Sequence, residues 1–348
     1  MDKINTLIDI NKRIKEVNNL NTGMNRDLLV SKLKNYIGYL TYTGNITSDE
    51  LDILYRRIRT DNRQKISNNY SENGINNFIR NNQLLMNYYE QMLDIYDRYR
   101  FNYVNDYCDY KNISIGLTKF LKKFNLYNIF KDLLDKKMIG KNINNENLNL
   151  TINDFDDSYI IIGNFNKNNL SYYYLFAHEM GHVLTNKILK EKRLYQNNQL
   201  IRETIPITFE RYFAFFLEYY NIISDEELKR LKNNIETNLS AEIEWTYETT
   251  NIIKNENYKR VGFDVIIDND PYPQYHNLYI HYYIIGNIIS LYLLDKYKSN
   301  IEQLVIDLPN IINELNNMTL KEIFNNFFNI QILKDYLKNN FSKKVKSR

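Results

Sequence analysis

Cysteine is almost absent from this chain of 348 residues, in which Cys108 is the only one. A single thiol excludes an intrachain disulfide, which suits a reducing compartment. No histidine lies close to Cys108 along the chain, so we interpret this thiol as structural rather than as a catalytic nucleophile. The N-terminus has no apolar run and no cleavage site, so no secretory signal is predicted. We therefore expect a soluble, cytoplasmic protein.

A strong excess of charge of one sign is also missing. The chain has 45 basic and 42 acidic side chains, a formal net charge of +3, which is not typical of a nucleic-acid-binding protein. The most apolar segment, residues 282–294, is too short to span a bilayer and contains Asn287 and Ser290. These features predict that the chain binds neither nucleic acid nor a membrane.

Helical patterns dominate the chain. Apolar residues recur at helical spacing from Leu7 onwards. Thr47 and Ser224 each begin a capping box, in which a Glu follows three residues later. Segments 78–107 and 275–297 are each predicted to form one long helix. The predicted fold class is therefore mainly α.

Histidine is nearly as rare as cysteine, and its four copies fall at 178, 182, 276 and 281. The first two belong to the sequence His178-Glu179-Met180-Gly181-His182, in a predicted helix that begins near Ser171. Because residues four apart share one helix face, His178 and His182 can bind the same metal ion. Glu179 can then reach a water molecule on that metal and act as its general base. The pattern predicts one zinc ion, and the alternative is an ordinary buried amphipathic helix.

A catalytic zinc needs a third protein ligand. A glycine at 185 and a histidine at 188 would supply one in another class of zinc peptidase, but the chain has Thr185 and Ile188. The remaining candidates are acidic residues after the motif: Glu191, Glu203, Glu210 and Glu218. Of these, Glu191 lies among basic residues, which is typical of a solvated helix face.

Glu203 and Glu210 stand on an otherwise apolar predicted helix, where an acidic residue must be paired or bound. They are seven residues apart and therefore lie on one face. This spacing suits one of them as a metal ligand and the other as the acceptor for an imidazole N–H of a liganding histidine. The alternative for Glu210 is a surface ion pair with Arg202 or Arg211.

A predicted strand precedes the motif and comprises Tyr159, Ile160, Ile161, Ile162 and Gly163. One interpretation is an edge strand that binds an extended peptide by strand addition. The other is a short buried strand in a small sheet. An Asn- and Asp-rich loop before this strand predicts two domains, an N-terminal helical lobe (1–145) and a catalytic lobe (146–348).

In their order and spacing, these residues resemble the oligoendopeptidase F and thimet oligopeptidase family of zinc metallopeptidases. The resemblance covers about residues 158–220: a strand ending in Asn164-Phe165, the His-Glu-x-Gly-His motif, and two Glu seven residues apart. It implies that Glu203 is the third zinc ligand and that Glu210 supports a liganding histidine. It also implies a helical, clamshell-like metallopeptidase with a small edge-strand sheet beside the zinc helix. The chain departs from the family at Thr185, where a further histidine is common, and it is shorter than typical members.

The resemblance extends to a Tyr- and His-rich segment that in the family lines the active site and donates hydrogen bonds to the reacting carbonyl. Alignment on Gly286 places the family's tyrosines on Tyr279 and Tyr283. Alignment on His276 instead places the catalytic tyrosine on Tyr282. Both alignments stay open, and the candidates are His276, Tyr279, His281 and Tyr282 for catalysis and Tyr283 for substrate binding.

The predicted function is a zinc-dependent endopeptidase that hydrolyses short peptides, with Glu179 as the general base. One alternative is a zinc carboxypeptidase of related helical fold. Another is a dedicated processing protease for one leader or signal peptide. The last is a non-catalytic peptide-binding or immunity protein that has kept the motif, which the intact Glu179 argues against.

Overall fold

The computed structural model describes most of the chain, in the ranges 3–20, 24–58, 83–99, 101, 107–143, 150–153, 158–163, 166–191, 203–255, 258–261, 264–267, 275–277 and 280–341. Its helices are α1 (Lys3–Asn19), α2 (Met24–Tyr42), α3 (Ser48–Arg57), α4 (Gln83–Tyr96), α5 (Tyr110–Lys123), α6 (Tyr127–Asp135), α7 (Leu170–Glu191), α8 (Thr204–Tyr219), α9 (Asp225–Asn255), α10 (Ile280–Tyr297), α11 (Ile301–Asn317), α12 (Leu320–Phe327) and α13 (Ile330–Asn340). Its strands are β1 (Ile139–Lys141), β2 (Leu150–Asn153), β3 (Ser158–Ile162), β4 (Tyr258–Val261), β5 (Asp264–Ile267) and β6 (Tyr275–Asn277). The prediction of a mainly α fold is confirmed.

The chain forms two compact units, and the first combines residues 1–66 with residues 125–167. This division differs from the predicted boundary between 145 and 146. Contacts with α2 explain the difference, because the Tyr39 hydroxyl donates to the Lys137 carbonyl at 2.7 Å. The Ile143 N–H likewise donates to the Tyr42 carbonyl at 3.1 Å. These bonds join the segment around β1 to the N-terminal helices.

The core of the first unit takes apolar side chains from its helices and from its sheet. Ile10 of α1, Ile37 of α2, Leu54 of α3 and Ile161 of β3 belong to one buried cluster. The predicted capping box of α3 is confirmed, since the Thr47 hydroxyl accepts from the Glu50 N–H and the Glu50 carboxylate accepts from the Thr47 N–H. Caps of this kind satisfy N–H groups that the first helical turn leaves without partners.

The predicted substrate strand is confirmed as a strand but not as an edge. β3 is the central strand of its sheet, parallel to β1 and antiparallel to β2. Both of its hydrogen-bonding edges are therefore already paired, and the prediction that this strand adds a peptide is wrong. The predicted residues pack inside the unit: Ile160, Ile161 and Ile162 are at most 1% exposed, Tyr159 contacts Tyr36 and Tyr39, and Gly163 is buried after the strand. The alternative, a short buried strand in a small sheet, is the observed one.

The second unit combines residues 67–124 with residues 168–348. Helix α8 is buried along most of its length and packs against α7 and α10. On another side, Phe120 of α5 meets Phe209, Phe213 and Phe216 of α8 edge to face, with ring centroids 5.4 to 5.7 Å apart. This apolar packing fixes α8 deep in the unit, so the acidic residues at its start and in its middle are buried with it. The predicted clamshell arrangement stays a prediction, and so does the predicted placement of the sheet of β1, β2 and β3 beside α7.

Two of the predicted helices are shorter in the structure. Helix α4 ends at Tyr96, because the N–H groups of Arg98 and Tyr99 bond to carbonyls three residues earlier and form a tight turn. Residues 78–82, 100 and 102–106 of that prediction lie outside the described residues. The predicted helix 275–297 begins only at Ile280, since residues 275–277 form β6 and pair with β5. By contrast, α9 runs unbroken after the predicted Ser224 capping box.

Across the described ranges, no helix combines the length and apolar character needed to cross a membrane.

Candidate metal centre

The two motif histidines lie one turn apart on a single face of α7, as their spacing predicts. His178 is 6% exposed, and the side chain of His182 is 13% exposed. Their ring centroids are 5.1 Å apart and the rings are nearly perpendicular. Two imidazoles are thus held together in a largely water-free part of the second unit.

Glu203 brings a carboxylate between these two rings from the start of α8. Its Oε2 atom lies 3.2 Å from Nε2 of His178 and 3.5 Å from Nε2 of His182. In the described part of the chain, these are the one group of three or more His, Cys, Asp or Glu side chains whose donor atoms all lie within 4.8 Å of one another. The predicted zinc ligands are therefore brought together by the fold.

Glu210 approaches His178 from the other side of its ring. The Glu210 Oε1 atom is 2.5 Å from Nδ1 of His178, in a buried contact. Glu210 lies two turns after Glu203 on the same face of α8, so one helix supplies both carboxylates. An acceptor at Nδ1 holds the proton on that nitrogen and leaves the Nε2 lone pair for a metal. The alternative of a surface ion pair is wrong, because Glu210 is 6% exposed and Arg211 pairs with a different acid, Glu236.

Two glycines allow the helices to come close enough for these contacts. A Cβ on Gly181 of α7 would lie 2.7 Å from the Cα of Pro206 in the first turn of α8. A Cβ on Gly286 of α10 would lie 2.9 Å from the carbonyl oxygen of Glu203. Side chains at either position would collide with backbone, so glycine is required where α7 and α10 press on the start of α8. Both contacts act on the segment that carries the Glu203 carboxylate.

The ionised groups of the centre hold each other in their charged forms. Burial lowers the pKa of His178, but its hydrogen bonds with Glu203 and Glu210 outweigh burial and raise this pKa well above its ordinary value. Burial raises the pKa of Glu203, yet the charge of His182 and the hydrogen bonds with both histidines leave it well below its ordinary value. A buried carboxylate is therefore kept negative between the two rings. A divalent cation that binds here would displace the proton on Nε2 of His178, because an imidazole that binds metal is neutral.

Glu179 follows His178 directly and is 3% exposed. Its negative charge acts on the His178 ring and favours the protonated imidazole. The carboxylate thus belongs to the same buried centre, although it is not one of the three donor groups. The role of Glu179 as the general base stays a prediction.

The Tyr- and His-rich segment contributes one described side chain to the centre. The ring of Tyr283, on the first turn of α10, is nearly parallel to the His178 ring, with centroids 6.4 Å apart. Tyr279 lies outside the described residues. The backbone of His276 is in β6 and that of His281 and Tyr282 is in α10, and their side chains lie outside the description. Their predicted catalytic roles stay predictions.

The other acidic candidates are not near the centre. Glu191 is exposed at the end of α7 and pairs with Lys187 at 3.7 Å. Glu218 pairs with Lys232 at 2.7 Å near the end of α8. Thr185 is buried and donates its hydroxyl proton to the Gly181 carbonyl. None of these residues belongs to the cluster of His178, His182 and Glu203 that could hold a metal ion.

Sequence reasoning missed one acidic residue, Glu242 on α9. Burial and the negative charges of Glu203 and Glu210 raise the pKa of Glu242 to about 7. A signal was present in the sequence, because Glu242 interrupts an apolar stripe of α9 that includes Leu239 and Ile243. The same criterion had identified Glu203 on α8. Besides Glu179, Glu203 and Glu210, Glu242 is thus a fourth carboxyl group that interacts electrostatically with the centre.

No protein-family model, curated protein or solved structure matches this chain. The resemblance to the oligopeptidase family therefore stays a prediction that depends on the motif residues. The geometry of the centre is independent of that resemblance. Two imidazole nitrogens and one carboxylate oxygen form the donor set of several zinc hydrolases, and a histidine–carboxylate contact behind one ligand is typical of such sites.

Proposed function

We propose that this protein is a zinc-dependent peptidase that hydrolyses short peptides. The observation that carries the proposal is the convergence of His178 Nε2 and His182 Nε2 on a single Glu203 oxygen, at 3.2 and 3.5 Å. Glu210 behind His178 and a buried Glu179 next to it in sequence add an acceptor for the ring N–H and a candidate general base. An ordinary amphipathic helix would not need a second helix that brings two carboxylates to the same ring.

The residues present fit zinc. Two neutral imidazoles and one carboxylate match its preference for nitrogen and oxygen donors, and three protein ligands leave a position open for water. When bound, zinc supplies a Lewis acid that lowers the pKa of water to about 7 and polarises the scissile carbonyl. The residues that would hold it are His178, His182 and Glu203. Glu210 would keep the His178 ring in the tautomer that binds metal.

Glu179 would serve as the general base. Its carboxylate would take a proton from the attacking water and deliver that proton to the nitrogen of the departing amine. Burial supports this role, since a carboxylate that is 3% exposed has little bulk water to compete for the proton. Because a metal can be bound without this group, its presence beside the ligands favours catalysis over simple metal storage.

Tyr283 is the best candidate to contact the substrate, because its ring, at the start of α10, is nearly parallel to the His178 ring with centroids 6.4 Å apart. A phenol at this position can donate a hydrogen bond to the carbonyl oxygen as negative charge develops there. Such a donor contributes on the order of 3 kcal/mol to stabilising the transition state. His276, Tyr279, His281 and Tyr282 stay the other candidates for this role.

The peptide backbone needs a partner other than β3. Among the described strands of the second unit, β6 is at the edge of its sheet and leads towards α10, which carries Tyr283. We propose that an extended peptide pairs with an edge of this sheet, as strand addition requires. The expected compartment is the cytoplasm, where the single thiol of Cys108 would stay reduced.

The test is a digest of a mixed peptide library by the purified protein, with and without a metal chelator. We expect cleavage that the chelator abolishes and that added zinc restores. Glu179→Gln should keep the fold and the zinc but lose at least a hundredfold in cleavage rate, the lower bound for removing a general base. The matched control is Glu191→Gln, an exposed Glu on the same helix, which should cleave like the wild type.

The product ends separate the competing activities. Internal cleavage of many peptides supports a general endopeptidase, whereas stepwise loss of C-terminal residues would identify a carboxypeptidase. Cleavage of one sequence class alone would identify a processing protease. Zinc binding without cleavage of any peptide, or undiminished cleavage by Glu179→Gln, would overturn the proposed mechanism.

A further inference from the structure

A buried ion pair joins two helices of the second unit, next in sequence to a residue of the metal centre. The Arg211 guanidinium and the Glu236 carboxylate are both 0% exposed. Arg211 Nε donates to Glu236 Oε1 at 3.0 Å, and a second guanidinium nitrogen donates to Oε2 at 3.1 Å. This two-pronged pairing fixes the relative orientation of α8 and α9, since the planar guanidinium fits a carboxylate in one geometry.

The remaining nitrogen of Arg211 reaches a third helix. It donates to the Asn287 carbonyl at 3.1 Å and to the Ser290 hydroxyl, both on α10. Tyr96, at the end of α4, donates its hydroxyl proton to Glu236 at 2.9 Å. Arg211 therefore links α8 to both α9 and α10 through hydrogen bonds. Tyr96 links α4 to the same ion pair.

The ion pair is adjacent to metal-centre residues on two helices. Arg211 directly follows Glu210, the residue that holds the His178 ring. Asn287 directly follows Gly286, where an added Cβ would lie 2.9 Å from the Glu203 carbonyl oxygen. Arg211 thus fixes the rotation of α8 about its axis at the residue next to Glu210. A small rotation would move Glu210 and Glu203 together, because they lie on one face.

We propose that Arg211 and Glu236 are positioning residues for the metal centre: their pairing sets the rotation of α8 so that Glu203 and Glu210 meet the His178 ring. This inference depends on the proposed metal function and adds a requirement for residues that touch neither metal nor substrate. A role in stability alone explains less, since a buried ion pair often contributes no more to folding than apolar residues of similar volume.

The experiment compares single and paired replacements. Arg211→Met alone leaves the Glu236 carboxylate buried without its partner and should lower the melting temperature strongly. The double variant Arg211→Met with Glu236→Gln removes both charges and keeps an amide oxygen as acceptor for the Tyr96 hydroxyl. We expect this variant to regain most of the lost melting temperature, yet to bind zinc at least tenfold more weakly than the wild type, as removal of supporting contacts does elsewhere.

Zinc affinity is measured by competition with a chromophoric chelator, which needs no substrate. Arg211→Lys is the second variant: it keeps the charge but cannot pair at two points, and it should fold and also lose about tenfold in affinity. The matched control is Lys232→Met, which breaks the ion pair between Lys232 and Glu218 on the same two helices. That control should bind zinc like the wild type.

Wild-type zinc affinity in either folded variant would overturn the inference, because the ion pair would then serve the fold alone. If the double variant does not fold, Arg211→Lys decides the question. Failure of the proposed function is a different result, since the wild-type protein itself would then bind no zinc or cleave no peptide. Weak zinc binding by the variants together with wild-type binding by Lys232→Met supports the inference.

Discussion

Nδ1 of His178 lies 2.5 Å from Oε1 of Glu210, in a contact between two buried side chains on neighbouring helices. The contact orients the ring so that Nε2 faces the Glu203 carboxylate. A metal centre of this kind depends on the residue behind the ligand as well as on the ligand itself. The consequences of this arrangement can be measured on the purified protein.

Removing the Glu210 carboxylate, which contacts Nδ1 of His178, should weaken zinc binding and leave the fold intact. In Glu210→Ala, Nδ1 loses its acceptor and the ring can adopt other tautomers and orientations. We expect zinc affinity to fall about 10- to 100-fold, as measured by chelator competition. Glu218→Ala on the same helix, which removes an exposed partner of Lys232, should leave the affinity unchanged. Equal affinities of Glu210→Ala and the wild type would show that this contact does not support the metal.

The two close glycines provide a test of how the helices approach. Gly181→Ala places a Cβ against Pro206, and Gly286→Ala places one against the Glu203 carbonyl. Each should cost about 1 to 3 kcal/mol of unfolding free energy, because backbone must move, and each should also weaken zinc binding. The measurements are chemical denaturation and chelator competition.

Gly38→Ala is the matched control for these variants. Gly38 also lies within a helix, α2, but its added Cβ would meet Tyr55 and Ile152 only at 3.7 and 3.9 Å, which is ordinary contact. This change should stabilise the protein by about 0.5 to 1 kcal/mol, because alanine loses less conformational entropy in a helix. Equal stabilities of all three alanine variants would contradict the close approach.

Glu242 predicts a pH dependence of stability in the metal-free protein. Its pKa is raised from 4.5 to about 7 by burial and by the charges of Glu203 and Glu210. Because the folded state keeps this proton and the unfolded state releases it at lower pH, the free energy of unfolding should fall as the pH rises from 4.5 to about 7. The whole effect is on the order of 3 kcal/mol.

Glu242→Gln isolates this contribution. Relative to the wild type, the variant should gain stability as the pH rises towards 7 and keep that gain above it, in denaturation curves recorded with chelator. Glu244→Gln removes an exposed carboxylate on the same helix and should show the wild-type dependence. A constant difference between Glu242→Gln and the wild type from pH 5 to pH 8 would show that Glu242 does not titrate in this range.

The sequence was sufficient to predict which side chains the fold brings together, because their arrangement depends on short spacings. The interval between His178 and His182 is fixed by the helix period, and so is the interval between Glu203 and Glu210. An acidic residue on an apolar helix also needs a partner, which marks both Glu203 and Glu210 as candidates from the sequence alone. Glu242 obeys the same rule on α9 and could have been found in the same way.

The sequence was not sufficient where structure depends on distant residues. An apolar run such as 159–163 predicts a strand, but only its pairing with β1 and β2 decides that it is central rather than at an edge. Likewise, Tyr96 ends α4 without a proline or glycine to mark the end. The partner of Arg211 is 25 residues away, so no local pattern could separate Glu236 from Glu210 as its ion-pair partner.

Zinc-edge anomalous diffraction from crystals grown with zinc tests the central claim most directly. The account predicts one strong peak about 2.0 to 2.1 Å from Nε2 of both His178 and His182, and about 2.0 to 2.2 Å from a Glu203 oxygen. The Glu210 contact with Nδ1 of His178 should remain in the same map. Absence of a peak between these side chains in zinc-grown crystals, or a peak that Glu203 does not approach, would contradict the account.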